Sequence, residues 1–273
     1  MNITPAFPSF DIYLADLNQF ILELVEAYNA GKIKSRDDLE EKVNAYFTPE
    51  RMGDLGSLVP GWRKMASYAE GVTLVHVMCV FLGLYMMPEF LSMTSEQRQM
   101  MKWVILFHDI EKEPQKGKRD HAHAFRSAVT AARTLPKLGF PVRSEYDLLI
   151  NIWSDLTRSA IIRSEELQDY VQDNLKLPEI LDGIERMFGR GTPTALVIKT
   201  ILFHLSIDMQ PWPPAAPLSD EEVRSYLDSE LVLLLRAMNL GDSEGWNMFK
   251  PDRESLRIAT LDAFEKVERL VSR

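Results

Sequence analysis

Apolar residues recur at helical spacing through nearly every stretch between turn signals, and this periodicity constrains the fold more than any other feature. Ile12, Leu14, Leu17, Phe20, Ile21, Leu24 and Val25 make one such face, in a helix predicted to end near Gly31. Ser35 is placed to cap a second helix, with Asp37 and Asp38 in its first turn. Gly and Pro mark a loop over 52–61, and a long helical stretch follows over 62–87. Thr94-Ser-Glu-Gln opens a helix that runs into His108-Asp109. After a polar loop over 111–119, helix resumes over 121–138 and stops at Gly139 and Pro141. Residues 144–162, 167–173 and 178–187 read as three more helical pieces, and Thr192 caps one that reaches Asp208. Four prolines within 210–217 impose an extended connection, after which Ser219 and Pro251 each begin a further helix. No alternating strand and no internal repeat stands out. The expected fold is all-α. Residues 1–217 form a helical core with an N-terminal helical extension, and residues 218–273 a C-terminal helical appendage packed on it.

With 46% apolar and 26% charged residues over 273 positions, the chain has an ordinary globular composition. A net charge of −9 argues against broad adhesion to nucleic acid or anionic lipid. Cys79 is the single cysteine, so an intrachain disulfide and a thiolate zinc site within one chain are excluded, and its apolar neighbours predict burial. The first residues lack a basic start and a long apolar stretch, and 72–87 is too short to span a bilayer. A cytoplasmic protein with no membrane partner is expected, and pairing of two copies through a helix face is compatible with its size.

The five histidines, His76, His108, His121, His123 and His204, carry the chemical signal. Each alone reads as an ordinary histidine with a hydrogen-bond partner. Together they form a pattern. His108-Asp109 closes the apolar run over 103–107, His76 sits inside the apolar run over 72–87, and Asp208 ends the apolar run over 197–207. A buried carboxylate is costly unless paired, and metal coordination is one way to satisfy it. Helices that each bring His or Asp into one interior are how helical bundles build metal sites. His76, His108, Asp109 and Asp208 are therefore the candidate ligands of one divalent ion (Mn, Fe, Co, Ni, Zn or Mg). Two imidazoles and two carboxylates would neutralise it and leave positions open for water. His204, one helical turn before Asp208, is a candidate to orient that carboxylate, to bind a second metal, or to sit in the core.

Ile105-Leu-Phe-His-Asp-Ile-Glu-Lys resembles the apolar-His-Asp-Ile-Gly-Lys element of the HD-domain superfamily of metal-dependent phosphohydrolases, with Glu111 where many members have Gly. The family's lone upstream His and distant Asp would be His76 and Asp208. The stretch from His123 to the Leu138-Gly-Phe-Pro corner is similar to the helix after this motif in HD domains fused to tRNA nucleotidyltransferases. The resemblance implies an HD-like helical bundle with extra N- and C-terminal helices, covering about half the chain. Where binuclear relatives bring further histidines, this chain offers Trp153 and Asp155, which favours one metal.

The resemblance also implies hydrolysis of a phosphomonoester or phosphodiester by a metal-activated water. The substrate would be a nucleotide-like or other small phosphorylated metabolite. Asp109, Lys112 and His123 are the candidate catalytic residues, and Lys112, His123 and Arg126 the candidate phosphate contacts. Lys116, Lys118 and Arg119 read as solvated, and Trp212 as a lid over the pocket mouth. Two other readings stay open: a di-iron HD-type oxygenase, which would recruit His204 with His123 or Asp155, and a non-catalytic metal-containing sensor or binding protein.

Overall fold

The computed structural model describes residues 7–67, 72–113, 120–209 and 213–272. Helices dominate it. α1 (Phe10–Tyr13) and α2 (Ala15–Asn29) lead to α3 (Arg36–Tyr46), whose Ser35 and Asp38 form a reciprocal capping box. Such caps contribute roughly 1 kcal/mol each by satisfying amides that the helix itself leaves open. α4 (Pro49–Leu58) occupies most of the stretch expected to be a loop. Thr48 caps it and Pro49 opens it, and these start signals outweigh the glycines inside.

α5 (Trp62–Ser67) and α6 (Val72–Met86) replace the single long helix expected there. α6 is buried on every side from Thr73 to Leu84, which explains why its sequence is apolar all round. α7 (Pro88–Leu91) turns the chain into α8 (Ser95–His108), capped by Thr94 and Gln97. α9 (His123–Thr134) ends in a 3₁₀ turn closed by left-handed Gly139 (φ 98°). α10 (Tyr146–Ser159), α11 (Leu177–Phe188) and α12 (Pro193–Phe203) follow.

Between α10 and α11 lies a departure from the expected helices, an antiparallel hairpin of β1 (Ile161–Ser164) and β2 (Asp169–Gln172). Its β-branched and aromatic residues suit strands, and Gln168 takes the positive φ (52°) that the turn needs. Gln172 ties the hairpin to the Ser206 hydroxyl and the Ala216 carbonyl. Ser206 precedes the proline-rich connection and Ala216 lies near its end, and the connection is non-helical over its described part. Trp212 falls outside the described residues.

α13 (Asp220–Tyr226), α14 (Ser229–Asn247) and α15 (Arg253–Val271) complete the chain. α14 belongs to the segment expected as a C-terminal appendage packed on the core. It packs on α6, α8 and α12, and one apolar cluster runs from Phe7 to Val267. Residue 217 therefore divides no pair of cores. Among the described residues no helix is long and apolar enough to cross a membrane.

Candidate metal centre

Five helices deliver ionisable side chains to one buried place. His76 stands one turn into α6, His108 ends α8 with Asp109 as its C-cap, and His123 begins α9. His204 caps the C-terminus of α12, and Asp242 comes from the middle of α14. His76, His108, Asp109, His123 and His204 are all 2% exposed or less. Asp242 keeps 24% of its side chain on solvent, yet its Oδ1 is enclosed.

Three of the imidazoles are oriented in the same way. Nδ1 of His108, His123 and His204 contacts the backbone carbonyl three residues earlier, Ile105, Asp120 and Ile201, at 2.8, 2.6 and 2.7 Å. A carbonyl only accepts, so each Nδ1 carries the proton and each Nε2 turns a lone pair inward. His76 lacks this bond. Its ring is held by stacking on Trp246, with ring centres 4.3 Å apart, and by Gly245 beneath it. A Cβ at position 245 would fall 2.5 Å from His76 Cε1, so only glycine leaves room for the imidazole.

The inward atoms form two groups able to hold a metal ion: His76, His108 and Asp242, and Asp109, His123 and His204. Asp109, a member of the second, also borders the first. Its Oδ2 lies 3.5 Å from His76 Nε2 and 3.6 Å from His108 Nε2, while its Oδ1 lies 2.9 Å from His123 Nε2. His76 Nε2 approaches Asp242 Oδ1 at 2.9 Å.

Despite these short distances, His76 Nε2, His108 Nε2, Asp109 Oδ1 and Asp242 Oδ1 are buried without hydrogen-bond partners among the described residues. His123 Nε2 and His204 Nε2 face each other at 3.1 Å, both with lone pairs when Nδ1 is the donor. Opposed lone pairs in a dry interior repel, and a cation between them removes the repulsion. Orphaned acceptors of mixed nitrogen and oxygen type fit a divalent transition metal.

The electrostatics agree. Burial alone would raise the Asp109 carboxyl, but the Lys112 ammonium at 2.6 Å, with His108 and His123, holds it well below the usual carboxylate range. For Asp242, burial is likewise overcome by the contact with His76 and by Lys112, so it too is held down. Burial pushes His108 down against the opposing pull of Asp109 and Asp242. It pushes His204 down to about 3, helped by His123 and His108. Ionised Asp109 and Asp242 beside neutral His108 and His204 are in the protonation state that ligation requires.

His76, His108 and Asp109, expected as ligands, meet here. Asp208 does not. α12 stops at Phe203, the chain turns away through Ser206 and Ile207, and Asp208 is exposed and in neither group. The carboxylate beside His76 is Asp242, which the sequence reading passed over. A signal was present: α14 carries mostly apolar residues from Leu231 to Leu240, then two acids, Asp242 and Glu244, between Gly241 and Gly245.

His123 and His204 come as a pair with Asp109, so two groups stand where one ion was expected. Trp153 is a core residue that donates to the Ile180 carbonyl, and Asp155 is paired with Arg158 on the surface. Lys112 is in place, bonded to Asp109. Arg126 is engaged within the scaffold. It pairs with Asp120 and donates to the Glu111 carbonyl, which steadies the Asp120 carbonyl that holds His123. Lys116, Lys118 and Arg119 lie outside the described residues.

Fold and site together define an all-helical protein whose buried His/Asp groups could hold metal ions. No family model, no curated protein and no solved structure matches the chain.

Proposed function

We propose that this protein is a metal-dependent phosphohydrolase of the HD type that works with two divalent ions. The observation that carries this reading is Asp109, whose two oxygens face two separate histidine groups. Divalent ions bound there would polarise a phosphoryl oxygen and lower the pKa of an attacking water. Asp109 fixes the spacing of the two groups. With only two carboxylates against two such ions and Lys112, the site keeps excess positive charge and selects an anionic substrate.

In this scheme Lys112 exchanges its bond to Asp109 for one to a phosphoryl or leaving oxygen and stabilises the charge that develops there. His123 serves as a ligand rather than as a proton donor, because its Nε2 faces His204 and Asp109. Arg126 supports His123 through Asp120 instead of touching phosphate. Small phosphate esters, nucleotide-like ones among them, are the substrate class proposed. Asp109→Ala should lose both ions by elemental analysis, and its hydrolysis of a phosphomonoester and phosphodiester panel should fall to background. Retained turnover in that variant would overturn the scheme.

A second reading, a di-iron oxygenase, is favoured by the same completion of the second group by His123 and His204. Two irons per chain with oxygen consumption and no phosphoester hydrolysis would select it over the first.

A further inference from the structure

Around the site most cations already have carboxylate partners. Lys112 is bonded to Asp109, Arg126 to Asp120 and Arg253 to Glu244. Arg36, the first residue of α3, differs. Among the described residues no carboxylate comes within ion-pair distance of it. Its bonds go only to the Gly245 and Val72 carbonyls, at 3.3 and 3.4 Å. A guanidinium has five donors in a planar fork, so two long bonds leave capacity for an oxyanion.

Its place is also informative. The Arg36 Cζ lies 5.4 Å from the centre of the Trp246 ring, and the Lys112 Nζ lies 5.3 Å from the same ring. That indole is 40% exposed and stacks on the candidate ligand His76. Trp246 therefore links the proposed reaction centre to Arg36, with both cations close to its ring.

Another opening near the site is a cavity of about 390 Å³ beside the hairpin, lined by Glu113, Asp120, Arg126, Arg158, Asp169 and Tyr170. Three carboxylates against two arginines make it unfavourable for an anion. The two cations beside the centre that share an aromatic neighbour, Lys112 and Arg36, meet at Trp246.

We propose that Arg36, presented on Trp246, binds a second anionic group of the substrate, so that the preferred substrates are phosphate esters carrying another oxyanion away from the reacting phosphoryl group. This rests on the phosphohydrolase reading and adds the substrate's second handle. A bidentate guanidinium–oxyanion contact discriminates strongly, because a ligand lacking that group leaves the fork unfilled.

The test compares 1,4-butanediol bisphosphate with butyl phosphate by calorimetry on the metal-loaded protein. The bisphosphate should bind at least about tenfold more tightly. Arg36→Gln should abolish that advantage while metal content and melting temperature stay at wild-type values. Should Arg36→Gln fail to fold, Arg36→Met keeps the stem packed on Trp246 without the charge and gives the same comparison. An advantage that is missing in the wild type, or that survives loss of Arg36, overturns the subsite and leaves the phosphohydrolase reading standing. Failure of butyl phosphate itself to bind removes that reading and the subsite with it.

Discussion

At the scale of single residues, the centre depends on which carboxylate completes the group around His76. Asp242 approaches it at 2.9 Å, whereas Asp208 is exposed and apart. Asp242→Asn should lower bound metal by about one ion per chain, since a neutral amide is a much weaker ligand for a divalent ion. Asp208→Asn should bind metal as the wild type does. Equal loss in both variants, measured by elemental analysis, would refute the placement of Asp242.

His204 makes a second prediction for the metal-free protein. Burial, His123 and His108 push its pKa down to about 3, below the roughly 6.5 of a free imidazole. The unfolded chain then binds the proton more readily, so this contribution to stability is present above about 6.5 and is lost as pH falls toward about 3. Denaturant titrations of metal-free protein between those limits should show stability falling with acid. His204→Gln should flatten part of that slope.

At the scale of elements, the contact between α6 and α14 decides whether His76 and Asp242 can meet. Gly83 on α6, and Gly241 and Gly245 on α14, let the backbones approach. A Cβ at 83 would fall 2.6 Å from Glu244 Cβ, and one at 241 would fall 3.3 Å from Val80. Gly245→Ala places a methyl against His76 and Val80, and overpacking of this kind costs about 1–3 kcal/mol. The variant should unfold at lower denaturant concentration and bind less metal. Gly191→Ala, at a position with open space but positive φ, should lose stability only through backbone strain and keep its metal.

The helices themselves were legible because their signals are local. Ser35, Thr94 and Thr192 cap where the sequence places them, and α6 is apolar all round because it is central. The hairpin over 161–172 was hidden within short apolar runs that fit either period, and its own ladder together with the tertiary anchoring of Gln172 holds it extended.

At the scale of the whole molecule, the C-terminal segment is part of the one apolar core. Leu231, Leu234, Leu235 and Met238 are buried in the cluster that also contains Phe10 and Trp103. Ending the chain at residue 217 would bare the buried face of α6 as well as remove Asp242. The shortened protein should be insoluble or unfolded by circular dichroism. A soluble, cooperatively folding 1–217 fragment would instead restore the appendage reading.

The sequence by itself determined that the chain is helical, and that His76, His108 and Asp109 must find partners in its interior. Both follow from periodicity and from the cost of burying a polar group, which neighbouring residues reveal. Only the tertiary structure decided that Asp242 lies beside His76 while Asp208 is exposed, that His123 and His204 gather around Asp109, and that Arg36 lies near Trp246. Those pairings join residues far apart in the chain, through helix crossings set by side-chain packing and by a glycine seam, and no local spacing records them.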